Sequence, residues 1–171
     1  MFSEKSHLMP EIWFWQRMVT PHMSALAEAL ARTGASVHYC ADVLQLPERS
    51  ELGWVVPKFE SAHFRLISSS ADAIECCRSA APRSGHLCQG IRGNGYVSKV
   101  QNELANLGRS FWVMMETVDE RGFKRLPKAL VYRLIFMWYA RHIAGVLAIG
   151  ERTGEWVKRQ RHSLVTVPFA Y

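Results

Sequence analysis

Short apolar runs alternate with amphipathic stretches along most of the chain. Residues 11–15 and 110–115 are rich in large apolar side chains, and residues 145–149 contain no polar side chain. Runs of this length and composition are typical of strands buried on both faces of a parallel sheet. The pattern predicts strands at residues 11–15, 36–41, 64–67, 86–90, 110–115, 145–149 and 164–167.

The segments between these runs repeat apolar residues at helical spacing. Thr20 and Pro21 provide a helix cap and a first-turn proline, and Gly34 ends the pattern that follows them. Asn94 is predicted to cap another helix, which ends near residue 107. Further helices are predicted at residues 69–78, 126–143 and 153–161, and residues 46–57 are predicted to form a surface loop or one short helical turn.

Strands that alternate with helices of this length predict an α/β protein with a mostly parallel sheet. We therefore expect a Rossmann-like, three-layer α/β/α sandwich. The length of 171 residues and the hydrophobic content of 49% fit one domain with its own core. We assign this domain to residues 9–171. Residues 1–8 fit neither pattern and are expected to be a loosely ordered extension.

The composition narrows the choice of partner and location. The formal net charge of +6 favours anionic partners without choosing among them. The basic residues are scattered and no nucleic-acid-binding motif occurs, so we expect no nucleic acid partner. The longest apolar run, residues 134–140, is too short to span a membrane, and the chain start lacks a signal-peptide core, which predicts a cytoplasmic or membrane-surface location. The four cysteines are expected to be reduced and buried, and the histidines lack metal-ligand spacing.

The polar segment after the first strand is a candidate binding loop, because ligands of parallel sheets collect at the carboxyl ends of the strands. Arg17 offers a planar guanidinium for a phosphate or a carboxylate. Thr20 and His22 lie at the N-terminus of the following helix, where anions bind. The alternative is that Thr20 is only a helix cap and that His22 is a surface residue.

The glycine-rich segment after the fourth strand is a second candidate. Gly93, Asn94 and Gly95 would allow a ligand to approach the backbone closely. The spacing is G-x-x-G-x-G, which differs from the G-x-G-x-x-G of dinucleotide sites, and no Walker lysine pattern occurs. The alternative is a tight turn in which the glycines only allow the backbone conformation and bind no ligand.

Two later strand ends also carry polar residues. Glu116 follows a buried strand, where a carboxylate can bind sugar hydroxyls or accept a proton, although a solvated carboxylate is the alternative. Arg152 and Thr153 begin a helix after another strand and could reach a phosphate. The helix predicted at residues 126–143 begins with basic residues, so it either lies against anionic lipid or packs on the core with a solvated basic edge.

Two stretches resemble the family 4 glycosyltransferases. Residues 14–34 (FWQRMVTPHMSALAEALARTG), followed by a Val-His-Tyr strand, resemble the opening of that family: a strand, a polar loop and a helix that ends in glycine. Glu116 before a basic helix, and then residues 144–150 and 165–171, are similar to the end of the family's N-terminal lobe. The resemblance covers roughly residues 9–171.

The resemblance implies one lobe of a GT-B enzyme, which retains configuration and transfers a hexose from a nucleotide sugar to a glycan or lipid-linked acceptor. It implies His22 and Glu116 as catalytic residues. It implies no metal and no cofactor besides the nucleotide-sugar donor, which the family binds in its C-terminal lobe. We expect that lobe to be absent from this chain or supplied by another protein, and the chain alone to be inactive. The residues implied in acceptor binding are Arg17, Thr20, Gly93, Asn94, Gly95, Arg152 and Thr153.

Two alternatives remain open at this point. The chain could be a stand-alone, non-catalytic module that binds a glycan or a lipid-linked acceptor or regulates a full-length relative. It could also be a small enzyme built on a different Rossmann-like scheme. Composition and spacing do not separate these three hypotheses.

Overall fold

The computed structural model of the protein describes residues 9–116, 118 and 125–169. These residues form an α/β structure in which strands and helices alternate. The strands are β1 (Glu11–Met18), β2 (Ser36–Val43), β3 (His63–Leu66), β4 (Gly85–Gln89), β5 (Phe111–Met115), β6 (Ile143–Ile149) and β7 (Thr166–Phe169). The helices are α1 (Pro21–Arg32), α2 (Pro47–Glu51), α3 (Ser70–Ser79), α4 (Val97–Asn106), α5 (Arg125–Trp138) and α6 (Glu151–Gln160).

The seven strands form one sheet in the order β3-β2-β1-β4-β5-β6-β7, and every pairing is parallel. Side chains alternate between its faces, so that Trp13 and Trp15 pack with α3, α4, α5 and α6, whereas Phe14 packs with α1. This arrangement confirms the predicted Rossmann-like, three-layer sandwich. The strand order reverses direction between β1 and β4, which places a topological switch point there.

Several element boundaries differ from the sequence predictions for identifiable reasons. β1 continues through Met18, past the predicted end at residue 15, because Gln16 and Met18 keep pairing with β2. α5 ends at Trp138 because residue 143 pairs with Phe111 as the start of β6. The last strand lies two residues later than predicted, because Leu164 turns into the core before β7 begins.

Two predicted helix starts are also wrong. Asn94 does not cap α4, which begins at Val97 after Tyr96. The Asn94 side chain instead donates a hydrogen bond to the carbonyl of Gln89. α6 begins at Glu151, two residues before Thr153, because Gly150 takes up a left-handed backbone with φ of +80° and starts the helix there. The Thr20 cap is confirmed, since its hydroxyl accepts a hydrogen bond from the backbone N–H of Met23.

A buried carboxylate fastens α1 to the segment that precedes β3. Glu28 is 6% exposed and accepts hydrogen bonds from the backbone N–H groups of Glu60, Ser61 and Ala62. These donors, led by that of Ala62, hold the pKa of Glu28 below its ordinary value despite its burial. The contact covers the face of the sheet that carries Phe14.

The four cysteines are free and buried. Burial raises the pKa of all four thiols, which therefore stay protonated and unreactive at neutral pH. Among the described residues, no helix is both long enough and apolar enough to cross a bilayer. The predicted extension at residues 1–8 lies outside the described residues.

Candidate functional site

A cavity of about 490 Å³ lies at the carboxyl edge of the sheet and is partly open to solvent. Four strands end at it, because β1, β4, β5 and β6 are neighbours or near neighbours across the switch point. Its lining combines the apolar side chains of Met114, Met115 and Ile149 with polar and charged side chains. Position, size and mixed lining are those of a small-molecule site.

The ends of β1 and β4 are joined at the mouth of this cavity. The backbone N–H of Arg17 donates a hydrogen bond of 2.8 Å to Oε1 of Gln89. The Arg17 guanidinium reaches the glycine-rich loop and donates from Nη1 to the carbonyl of Gly93 at 3.1 Å. One edge of the guanidinium is thus fixed by the protein, and its other donors remain available for a ligand.

The glycine-rich loop is shaped by left-handed backbone at Gly90, Gly93 and Gly95, each with φ near +65°. A Cβ on Gly95 would lie 1.9 Å from Oδ2 of Asp42, whose carboxylate accepts a hydrogen bond from the backbone N–H of Tyr96. Burial raises the pKa of Asp42, while the Tyr96 N–H and Arg17 oppose that rise. Gly95 is therefore required by this contact with β2 and does not line the cavity. Gly93 does line it, and its Cβ position is open space.

Two buried amide side chains, those of Asn94 and Gln16, line the cavity, and a third, that of Gln101, supports Asn94 from outside the lining; we call the three together the amide wall. Asn94 donates from Nδ2 to the carbonyl of Gln89 at 2.9 Å and to Oε1 of Gln101 at 3.4 Å. Gln101 in turn donates from Nε2 to the carbonyl of Gly90 at 2.7 Å. Gln16, at the end of β1, is 1% exposed and also lines the cavity. Among the described residues, neither amide atom of Gln16 has a hydrogen-bond partner, nor does Oδ1 of Asn94.

The two predicted catalytic residues both line the cavity. His22 lies in the exposed first turn of α1, and Glu116 follows the last residue of β5. Thr20 lies beside them, and its backbone N–H donates to the hydroxyl of Tyr39. Burial raises the pKa of Tyr39 to about 12, so this phenol stays neutral and supports the loop.

Arg152 and Thr153 lie outside the residues that line the cavity. Thr153 is buried, and its hydroxyl donates to the carbonyl of Ile149 at 2.6 Å, which stabilises the junction of β6 and α6. Arg152 is exposed in the first turn of α6. The structure thus brings together Arg17, Thr20, His22, Gly93, Asn94 and Glu116, whereas Gly95, Arg152 and Thr153 do not join them at the cavity.

Sequence reasoning missed three cations of the lining: Arg49, Arg92 and Lys128. Arg49 belongs to the short helix α2 and stacks 4.4 Å above the ring of Trp54, which also lines the cavity. Arg92 lies in the glycine-rich loop, between two glycines that the sequence did single out. The sequence signal for Arg92 was its position in this loop. Nothing in the sequence indicated that α2 brings Arg49 to the cavity.

The geometry limits the cofactors that the described residues could hold. Within residues 9–116, 118 and 125–169, no three histidine, cysteine or acidic side chains cluster as metal ligands would. The turn from β1 into α1 contains no glycine, and this turn is where dinucleotide-binding folds bring the backbone against the pyrophosphate. The glycines instead follow β4.

No protein-family model matches the chain, and no curated protein matches it. Among solved structures, it is similar to an NADH-dependent reductase crystallised with NAD, with 13% sequence identity and a TM-score of 0.42. That match covers 82% of this chain and 77% of the reductase chain. At this level the likeness carries no conclusion about function.

Proposed function

We propose that this chain is the acceptor-side lobe of a GT-B, retaining glycosyltransferase, which transfers a hexose from a nucleotide sugar to a glycan or lipid-linked acceptor. The observation that carries the proposal is the gathering of polar side chains from three loops on one partly open cavity at the carboxyl edge of the sheet. A cleft that is closed only when two lobes face each other requires each lobe to present such an edge. The resemblance of residues 14–34 to family 4 enzymes supplies the reaction class.

In this proposal His22 and Glu116 contact the acceptor. An imidazole and a carboxylate at the same rim can orient an acceptor hydroxyl and take up or hold its proton as the new glycosidic bond forms. Arg17, Thr20 and Asn94, together with the backbone at Gly93, bind the rest of the acceptor. Arg152, exposed at the start of α6, is available to meet a facing lobe.

The donor would be held by that second lobe, whether it is part of the same polypeptide or of another protein. Transfer through an oxocarbenium-like transition state needs donor and acceptor positioned together and water excluded. The cavity is partly open to solvent, so this lobe alone does not exclude water from it. We therefore expect this lobe to bind acceptor by itself and to transfer little or no sugar by itself.

Isothermal titration of the chain with nucleotide sugars and with candidate acceptors tests this division. We expect acceptor binding that is weakened by Asn94→Ala, and no micromolar binding of any nucleotide sugar. Micromolar binding of a nucleotide sugar by this lobe alone would contradict the proposal. The matched control is Asn106→Ala, which changes an exposed asparagine at the end of α4, away from the cavity lining.

A stand-alone module that binds a glycan or a lipid-linked acceptor is the second candidate. It is favoured by one observation, which is that the cavity of about 490 Å³ already has the size and the mixed polar and apolar lining of a small-molecule site. Addition of a protein that supplies a donor lobe separates the two candidates. Hexose transfer then supports the glycosyltransferase, whereas unchanged acceptor binding without transfer supports the module.

The location that accompanies this proposal is cytoplasmic, with peripheral contact at the inner face of a membrane. One side of α5 leaves large apolar side chains uncovered, and Arg133 and Arg141 lie within or next to it. Such a surface suits anionic lipid, because apolar side chains enter the interface while guanidinium groups meet headgroup phosphates. The uncovered side chains, 51% to 79% exposed, are Leu126, Leu130, Leu134, Met137 and Trp138.

A further inference from the structure

We propose that the acceptor bound in this cavity is a polyol that carries a phosphate group, with its hydroxyls on the buried amides and its phosphate on the arginines at the mouth. This inference rests on the proposed function for the role of the ligand, but the chemistry of the ligand is read from the cavity itself. Two independent observations carry it, namely the unpartnered amide atoms and the sign of the lining charges.

The amide wall is suited to hydroxyl groups. Gln16 presents a donor, Nε2, and an acceptor, Oε1, and both atoms are fully buried without a protein partner among the described residues. When the Gln16 side chain turns toward the cavity, one hydroxyl can accept from Nε2 while its neighbour on the same ring donates to Oε1, so a vicinal diol satisfies the whole amide. Oδ1 of Asn94 provides a further acceptor for a hydroxyl proton, and its orientation is fixed by the two bonds that Nδ2 donates.

Leaving such atoms without partners is unfavourable in a folded protein, because they lose their hydrogen bonds to water on burial. Gln16 could be replaced by an apolar residue of the same shape if its only task were to fill the end of β1. Met114, Met115 and Ile149 also line the cavity, and apolar side chains of this kind suit the C–H face of a saturated ring.

The charge of the lining indicates the second group. Four cations line the cavity, against one carboxylate, Glu116, among the described residues. Three of the cations are guanidinium groups that come from different elements: β1, α2 and the glycine-rich loop. Convergence of this kind suits a multiply charged tetrahedral anion, since each guanidinium can address a different oxygen. The four cations are Arg17, Arg49, Arg92 and Lys128.

Two of these arginines are oriented by neighbours that leave donors available. Arg17 lines the cavity and donates from Nη1 to the carbonyl of Gly93, and its guanidinium has further N–H donors for a ligand. Arg49 is stacked on Trp54, a contact that fixes the plane of the guanidinium without using its N–H groups. The phosphate would therefore be bound at the mouth and the hydroxyls deeper, next to Gln16.

The test is a binding titration of the ¹⁵N-labelled full chain, followed through the side-chain amide signals of Gln16, Gln89, Asn94 and Gln101. The probes are a set of hexose and cyclitol monophosphates, the corresponding unphosphorylated polyols, and inorganic phosphate. We expect the phosphorylated polyols to bind at least about tenfold more tightly than either part alone, which corresponds to about 1.4 kcal/mol. Equal affinity for phosphorylated and unphosphorylated polyols would overturn the inference.

Two substitutions test which residues bind the phosphate group and which bind the hydroxyl groups of the ligand. Arg92→Gln should weaken the binding of polyol phosphates by about tenfold and leave unphosphorylated polyols unaffected, because one charge-assisted contact is lost. Gln16→Met, of similar shape, should weaken both. The control is Arg83→Gln, which changes an exposed arginine in the turn before β4, and thermal unfolding of each variant confirms that it is folded. Equal effects of Arg92→Gln and Arg83→Gln would overturn the phosphate assignment.

The phosphate group of the ligand could belong to a soluble compound or to a lipid headgroup. A parallel binding experiment with lipid vesicles distinguishes these two sources. Binding to phosphatidylinositol vesicles that Arg92→Gln abolishes, without binding of the soluble probes, identifies a headgroup. Binding of the soluble probes identifies a free polyol phosphate. Tight polyol phosphate binding without transfer in the presence of a donor lobe would refute the glycosyltransferase and leave this inference standing. Equal hexose transfer to acceptors with and without a phosphate group would refute this inference and leave the glycosyltransferase standing.

Discussion

The backbone N–H of Arg17 donates to Oε1 of Gln89 across the switch point, where β1 and β4 begin to diverge. A parallel sheet opens at such a place because the connections on its two sides leave in opposite directions. Gln89 bridges the opening with its side chain, while its backbone carbonyl accepts from Asn94. Gln89→Ala removes the side-chain bond to Arg17 and keeps the carbonyl that holds Asn94, so we expect it to weaken ligand binding less than Asn94→Ala does, as measured by isothermal titration.

Gly95→Ala should destabilise the fold more than Gly93→Ala does. Both glycines have φ near +64°, where an alanine costs about 1–2 kcal/mol. At Gly95 the new Cβ would also displace the Asp42 carboxylate from the Tyr96 N–H, and the total loss should reach roughly 3 kcal/mol. Urea unfolding of the two variants measures the difference. Equal losses would show that Asp42 moves aside freely.

Glu28→Gln should lower stability at neutral pH, because an amide cannot replace a carboxylate that accepts three backbone donors. A hydrogen bond to a charged group contributes about 1.5–3 kcal/mol, so a loss of about 2 kcal/mol is expected. The folded-state pKa of Glu28 lies below its unfolded value, so its stabilisation is present above the ordinary carboxyl range and is lost as the pH falls through the folded pKa. The difference in urea midpoint between wild type and Glu28→Gln should therefore shrink as the pH is lowered from 7 into the acid range.

His86 should make the fold weaker in mild acid. Burial lowers its pKa to about 4, and the neutral ring accepts a hydrogen bond from Nε1 of Trp15 at Nδ1. The unfolded chain takes up a proton on this residue near the ordinary histidine pKa of 6.5, whereas the folded chain does not until about pH 4. Stability is consequently lost as the pH falls from 6.5 to 4. His86→Gln, which cannot titrate, should show a smaller fall in thermal midpoint across that interval, and an unchanged slope would disprove the assignment.

His22→Ala and Glu116→Ala should each reduce hexose transfer once a donor lobe is supplied. The loss of a positioned proton-transfer group costs about a hundredfold or more in rate. Steady-state rates at saturating donor provide the measurement, with His142→Ala as a control outside the cavity lining. Rates that both substitutions leave unchanged would remove these residues from the proposed mechanism without touching the fold.

Trp138→Ser should reduce binding to phosphatidylglycerol vesicles and leave the thermal midpoint near that of the wild type, since Trp138 is 79% exposed. The matched control is Phe136→Ala on the same helix. Phe136 is fully buried, so its loss should cost about 3–5 kcal/mol of stability. Co-sedimentation checks the first effect and thermal unfolding the second. Vesicle binding that persists in the Trp138 variant would exclude this side of α5 as the contact.

The architecture was predictable because strand and helix periodicities differ and because each apolar run was bounded by glycine, proline or a cap. The apolar pattern indicated where β5 and β6 lie to within two residues. Local patterns could not indicate that β1 continues through Gln16, since only pairing with β2 extends it. That pairing turns Gln16 from a predicted loop residue into part of the amide wall.

The site was predictable only in part. Arg17, His22, Asn94 and Glu116 were found because polar residues after strands meet at one edge of a parallel sheet. Gly95 and Thr153 show the same local sequence signal, but neither faces the cavity. Gly95 packs closely against Asp42, and the hydroxyl of Thr153 donates to the carbonyl of Ile149. Sequence spacing does not distinguish a polar group that faces a ligand from one that is hydrogen-bonded or packed within the protein.

The amide wall has a thermodynamic consequence for any ligand. Asn94 and Gln101 are held on main-chain carbonyls, and Gln16 is enclosed at the end of a strand. The rotamer of Asn94, which lines the cavity, is already restricted in the unliganded protein, so binding restricts few additional torsions there. Association should therefore carry a small conformational-entropy penalty, and specificity should reside in the match of hydroxyl geometry to a rigid surface.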